Sequence, residues 1–304
     1  MLFRSGLEME NEVADICYII QLFVYMTEIR SPLRYPGGKS RAIQRIESLL
    51  LSDFDEYREP FVGGGSVFIY LKQKRPDLKV WINDLNKELY LFWKYAKKDS
   101  EELAEEVLRI KRKTRNGQNL FTELVTANVN KWKEFDRAVR FFILNRITFS
   151  GLAESGGFSY LAYKTRFTDS SVQRLSAMSL VLEGVTITNK DYRELLQDGG
   201  KNIFTFLDPP YLKAAKSKLY GKNGALHTSF NHEEFAKDVK KCNHSWLITY
   251  DDSPEIWSNF SPVEKFHFQK WELQYGMNNY KQEKAVKGNE LFIANYALKP
   301  GLPN

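Results

Sequence analysis

The sequence predicts an α/β fold in which a parallel sheet is interrupted by a large, mainly helical insertion. Three observations carry this. Between residues 40 and 96, short apolar strands alternate with helices across tight turns. From 97 to 182 the pattern becomes charged and helical. From Val185 onward the strand rhythm resumes. Alternation of this kind builds a parallel sheet with helices packed on it.

Each element has its own signal. Residues 40–51 place Ile43, Ile46, Leu49 and Leu50 on one helical face. Tyr57 to Val62 reads as a strand running into Gly63-Gly64-Gly65, and Ser66 to Lys74 as the helix that follows. Leu78 to Ile82 is a second strand, ended by Asn83-Asp84, with a helix from Asn86 to Ala96. The insertion crowds Arg109, Lys111, Arg112, Lys113 and Arg115 together, then turns rich in Gly, Ser and Thr from Thr148 to Ser171. Val185 to Thr188 and Asn202 to Leu207 are further strands, the first followed by a short helix from Tyr192. Residues 232–242 form a helix, and Ser245 to Tyr250, Val263 to Phe268 and Leu291 to Tyr296 complete the strands.

Composition narrows the class. With 304 residues, two domains or one domain with a large insertion are expected. Hydrophobic residues at 43% and charged residues at 27% exclude a disordered chain. The net charge of +6 permits nucleic-acid contact without demonstrating it. Cys17 and Cys242 form no CxxC pair, and His227, His232, His244 and His267 have no metal-ligand spacing. Neither a disulfide framework nor a bound metal is expected, and a cytoplasmic location fits best.

No apolar run reaches the ~18 residues of a membrane span, so no membrane association is expected. Residues 1–30 read as an N-terminal extension of loose integration. Met26 is a candidate natural start, because the compact pattern begins just after it.

Four segments carry chemistry. A buried strand delivers Asp208-Pro209-Pro210-Tyr211 at its carboxyl end, where open α/β sheets form their sites. Proline lacks a backbone donor and keeps the chain extended, leaving carbonyl oxygens available. An acid, a carbonyl and a flat ring suit an exocyclic amine on a planar heterocycle; a plain proline turn is the alternative. Glu59-Pro60-Phe61-Val62-Gly63-Gly64-Gly65 lets a ligand approach the backbone at a helix start. Asp84, at the end of the next strand, is placed to accept from ribose hydroxyls. Gly38-Lys39-Ser40 invites a phosphate-loop reading, but that motif needs glycine at position 33, which is Leu.

Taken in order, Pro36-Gly37-Gly38-Lys39, Glu59-Pro60-Phe61-Val62-Gly63-Gly64-Gly65-Ser66, Asn83-Asp84-Leu85-Asn86 and Asp208-Pro209-Pro210-Tyr211 resemble the Dam-type (D12 class, α group) DNA adenine-N6 methyltransferases. The resemblance spans about residues 31–297. Tyr275-Gly276-Met277-Asn278 and Gly288-Asn289-Glu290-Leu291-Phe292 are similar to that family's last strands. It implies a Rossmann-like sheet that uses S-adenosylmethionine (SAM), formed by 31–96 and 183–304, with a target-recognition lobe at 97–182. It also implies methyl transfer to N6 of a flipped-out adenine in a short duplex sequence. The same chemistry on RNA or another amine, and an inactive DNA-binding module, are the alternatives.

Residue by residue, the resemblance assigns the cofactor to Tyr35, Gly37, Gly38, Lys39, Glu59, Phe61, Gly63, Gly65, Asp84, Asp191, Tyr192 and Asp208. Catalysis maps to Asp208, Pro209, Pro210 and Tyr211. DNA contacts map to Asn145, Arg146, Phe149, Ser150 and Leu152 in the lobe, and position in the loop after the catalytic motif adds Lys213, Lys216 and Lys218. GATC-reading members carry arginine where this chain has Glu154. An acid cannot make arginine's paired donor contact to guanine. Glu154 is read either as an acceptor for a cytosine amine or, more simply, as a solvent-facing residue. The implied partners are double-stranded DNA and a cognate restriction endonuclease, with action as a monomer.

Overall fold

A computed structural model of the chain describes residues 28–212, 229–274 and 287–299. Its centre is a seven-stranded sheet in the order β3-β2-β1-β4-β5-β7-β6. The strands are β1 (Glu56–Glu59), β2 (Lys79–Asn83), β3 (Thr186–Thr188), β4 (Ile203–Leu207), β5 (Ser245–Asp251), β6 (His267–Gln274) and β7 (Lys287–Ala294). The first five are parallel, as expected. The last two are not: β7 lies between β5 and β6 and runs antiparallel to both.

This order fixes where a site can form. The strand sequence reverses direction between β1 and β4, which opens a crevice beyond their carboxyl ends. β7 is antiparallel, so its amino end reaches that same edge, and Glu290 pairs with Asp251 at the end of β5.

Both faces of the sheet are covered. Successive strand residues point to opposite faces. Leu247, Phe292 and Ala294 join one apolar cluster, while Trp246, Ile248, Leu291 and Ile293 join a second across the sheet. Such two-sided burial explains the nearly continuous apolar runs in β4 and β5.

The helices flanking the first strands are α1 (Ile43–Leu49), α2 (Ser66–Lys74) and α3 (Lys87–Lys98). Asn86 caps α3, its side chain accepting from Glu88 N and Leu89 N. The insertion follows as α4 (Ser100–Lys113), α5 (Gly117–Thr126), α6 (Glu134–Ile147), α7 (Tyr160–Arg166), α8 (Asp169–Ser176) and α9 (Met178–Leu182). Its central helix, α6, is buried from Ala138 to Ile147. Phe142 of α6 stacks on Phe92 of α3, with ring centres 5.9 Å apart and planes 9° from parallel. α10 (Tyr192–Gln197), α11 (His232–Lys240) and α12 (Pro254–Asn259) complete the helices named here.

Three sequence expectations shift. Val263–Lys265 is a 3-10 turn, and the strand begins later, at His267. The helix α12, opened by Ser253 with Pro254 in its first turn, was not anticipated. Ile29 is buried in the main core, its N–H donating to the Gln73 side-chain carbonyl and its C=O accepting from the Gln73 amide, so the expected extension is integrated by that point. Residues 1–27 lie outside the described residues. No helix among the described residues is long and apolar enough to cross a membrane.

Candidate active site

The crevice is a cavity of about 750 Å³ at the carboxyl edge of the sheet. Every residue assigned to cofactor or catalysis lines it: Tyr35, Gly37, Gly38, Lys39, Glu59, Phe61, Gly63, Gly65, Asp84, Asp191, Tyr192, Asp208, Pro209, Pro210 and Tyr211.

The glycine turn after β1 is shaped by its neighbours. Gly63 has φ +46, in the left-handed region. A Cβ there would lie 2.7 Å from the Tyr35 ring, so only glycine lets that ring close on the turn. Gly63 N donates to Asp84 Oδ2 at 3.1 Å, and Asn86 N donates to Oδ1 at 2.9 Å. Burial nevertheless lifts the Asp84 carboxyl to about 6, with the charge of Glu154 adding to it. Asn83 stitches the strand ends together: its amide donates to Pro60 O and Lys190 O, and its carbonyl accepts from Lys190 N and Thr188.

On the other side of the crevice, Lys39 reaches Asp208. Its Nζ lies 2.7 and 2.8 Å from the two carboxylate oxygens and also donates to Gly37 O. Lys39 is buried, at 4% exposure, and its ammonium sits 5.0 Å from the centre of the Tyr211 ring. Thr249 Oγ1 donates to Asp208 Oδ1 at 2.7 Å. The Asp208 carboxylate is thus fixed in orientation by three donor contacts from two residues. Buried Glu59 accepts from Tyr57 at 3.0 Å; burial raises its pKa to about 8, and the charge of Asp208 adds to this.

Several cavity residues escaped sequence reasoning. Asp251 accepts from Leu212 N at 2.9 Å, which anchors the chain leaving Asp208-Pro209-Pro210-Tyr211, and its Oδ2 is buried without a hydrogen-bond partner among the described residues. Glu290 accepts from the Tyr211 hydroxyl at 2.5 Å. Phe230 packs with Phe61 and Tyr192, ring centres 5.8 and 6.1 Å away, to form an aromatic wall. Asp191 caps α10 through Arg193 N. Among the described residues no group of His, Cys, Asp and Glu could hold a metal ion.

The residues expected to contact DNA divide. Ser150 lines the cavity, and neighbouring Phe149 is 61% exposed. Leu152 is half-buried. Asn145 is fully buried: its amide donates to Arg34 O and Gly151 O and its carbonyl accepts from Arg34 N. It clamps the Tyr35 segment to the insertion, with both its amide nitrogen and its carbonyl oxygen engaged there. Arg146 is buried over the Phe142 ring, and its Nε has no hydrogen-bond partner among the described residues. Burial, then the charges of Arg174, Arg34 and Arg166, hold it down to about 9. Lys213, Lys216 and Lys218 lie outside the described residues. In the basic cluster of α4, Arg109 pairs with Glu106 and Lys111 with Asp169.

Glu154 is not solvent-facing. It is half-buried, and its Oε2 accepts a hydrogen bond from the Asn86 side chain.

A family model described as D12 class N6 adenine-specific DNA methyltransferase matches residues 35–277. The chain is 30% identical to the type II methyltransferase M.MjaIII of Methanocaldococcus jannaschii over 230 residues, which cover 69% of this chain and 76% of that protein. It is 25% identical to the type II methyltransferase M1.LlaDCHI of Lactococcus lactis subsp. cremoris, covering 68% of this chain and 72% of that one. It is likewise 25% identical to a DNA adenine methylase of Vibrio cholerae, covering 66% and 72%.

Proposed function

The chain belongs to the D12 class of N6 adenine-specific DNA methyltransferases, and on that premise we propose which residues perform the reaction and how the target is reached. Members of this class transfer a methyl group to adenine N6 in DNA with SAM as donor.

The cavity suits SAM in size and chemistry. Its volume, about 750 Å³, falls within the usual range for ligand sites. Asp84 stands ready for ribose hydroxyls. The aromatic wall of Phe61, Tyr192 and Phe230 offers faces for the adenine ring. The backbone N–H groups of Ser66 and Val67 in the first turn of α2, reached through Gly65, would hold the methionine carboxylate. When bound, SAM supplies a methyl group already activated by its sulfonium.

The chain's own part concerns the target amine. Adenine N6 is a weak nucleophile because its lone pair is delocalised into the ring. N6–H donation to the Asp208 carboxylate and the Pro209 carbonyl favours a pyramidal nitrogen and stabilises the positive charge that develops there. The Lys39–Asp208 pair supports this reading: it holds the carboxyl group aimed, as an acceptor and not as a base. In-line positioning supplies much of the remaining rate. A base inside a duplex cannot reach this depth, so the adenine flips out and stacks on Tyr211.

We assign DNA contact to Ser150, to exposed Phe149 beside it, and to the positive field of Arg34, Arg146, Arg166 and Arg174. Asn145 is assigned to holding that surface in place. The division into a sheet domain (31–96 and 183–304) and an inserted lobe (97–182) belongs to the same proposal, as do monomeric action and a cytoplasmic location. The names of the relatives support pairing with a restriction endonuclease of the same specificity; viral and housekeeping roles share this enzyme core.

The single observation that carries the proposal is the convergence of Lys39, Asp208 and Tyr211 on one wall of the cavity, opposite Asp84. The test is single-molecule sequencing of DNA from a methylation-free host expressing the chain. One N6-methyladenine motif, different from GATC, is expected. Soluble protein that binds SAM and leaves no methyladenine would overturn the proposal.

A further inference from the structure

Asp84 depends on its neighbours for its aim. One of its two backbone donors is Asn86 N, so its orientation follows the position of Asn86. Capping α3 takes the Asn86 side-chain carbonyl, which accepts from Glu88 N at 2.9 Å and Leu89 N at 3.1 Å. The amide nitrogen needs an acceptor from elsewhere, and Glu154 of the insertion provides it.

Glu154 is itself well anchored. Ala153 beside it is buried, and Gly156 N donates to Leu152 O at 2.9 Å. Gly151, at φ +76, packs so closely on the Arg34 carbonyl that a Cβ would come within 2.2 Å of it. The turn bearing Glu154 is therefore pinned to the segment that carries Tyr35. A continuous series of contacts runs from the insertion into the cavity: Glu154, Asn86, Asp84.

We propose that Glu154 is a positioning residue for the cofactor and not a reader of DNA bases: it holds Asn86, and through Asn86 it sets Asp84 to accept from the ribose. This rests on the reading of Asp84 as the ribose acceptor. Glu154 needs only an acceptor oxygen for this task. Glutamine would serve nearly as well, and alanine would not.

The test measures the SAM dissociation constant by calorimetry without DNA, together with the methylated motif. Glu154→Ala is expected to weaken SAM binding about tenfold, the value of one hydrogen bond to a charged group. Glu154→Gln should stay within about twofold. Asn86→Asp keeps the helix cap but sets carboxylate against carboxylate, and should also weaken SAM about tenfold. Combining Asn86→Asp with Glu154→Gln reverses donor and acceptor across the same gap and should restore binding to within about threefold. That rescue keeps the test decisive even if Glu154→Ala fails to fold. All active variants should methylate the native motif, with KM for DNA unchanged.

A double variant no tighter than Asn86→Asp alone, or a changed motif in Glu154→Gln, overturns the proposal. Asp84→Ala separates the two levels. If it weakens SAM while the Glu154 and Asn86 variants do not, only the positioning role fails. If it binds SAM like the native chain, the ribose reading fails as well.

Discussion

At the end of β4 and at the end of α6 the chain does similar things with opposite results. β4 is buried at every position, and the residue after it, Asp208, faces the cavity. α6 is buried through its last ten positions, Ala138 to Ile147, and the polar residues at its end, Asn145 and Arg146, stay inside. The strand lies beside a place where the sheet order reverses, so its end opens onto a crevice. The helix ends where the chain doubles back through Ser150 and Gly151, so its end closes on Arg34. An apolar run capped by polar residues marks a site only where the topology leaves an opening. Elsewhere the same pattern marks a clamp.

Substitutions can break this comparison or sharpen it. The largest effect is expected for Asp208→Asn, which should lower kcat by about 10³-fold and leave SAM binding within several-fold. Activity within tenfold of native would remove the end of β4 from the chemistry. Asn145→Ala should act on stability: losing its buried bonds and stranding their partners costs about 3 kcal/mol, read as a lower urea midpoint. A native midpoint with weakened DNA binding would instead place Asn145 on the DNA. Asp84, lifted to about 6, adds a pH signature. On the proposed reading its anion accepts the ribose hydroxyls, and that anion is lost as pH falls through that value. The SAM dissociation constant should then rise about tenfold per unit below pH 6, and Asp84→Asn should flatten the profile. The smallest effect is expected for Arg166→Ala, on the exposed side of the lobe. DNA affinity should fall a few-fold for every sequence alike, with the salt dependence reduced by about one phosphate contact. An altered motif would make Arg166 a base reader.

Much of the cavity wall was legible because strand ends are local signals: an apolar run, then Asp84 or Asp208. The partner of Asp208 was not. Lys39 lies 169 positions away, and nothing in its own segment points to a carboxylate. Glu290 and Asp251 were missed for a topological reason. Local periodicity identifies a strand but not its direction, and only an antiparallel β7 brings Glu290 to the edge where Asp251 ends. The strand expected at Val263 starts later because residues 263–265 turn as a 3-10 helix, and of the three only Val263 favours a strand. The solvent-facing reading of Glu154 failed because its partner, Asn86, sits on another part of the chain.

The stacking of Phe142 on Phe92 has a consequence for how target choice can be transplanted. A graft cut at residue 97 would carry Phe142 away from Phe92, and Arg137 away from Glu88, to which its Nε donates at 3.0 Å. The recipient would gain an unmatched aromatic face and keep a buried carboxylate without its guanidinium. A seam placed before Asp84 moves α3 together with the helices it recognises. Hybrids built at that seam keep the α3–α6 contact surface intact and must instead match Trp93 to the Phe68 ring and the Gly63 carbonyl across it.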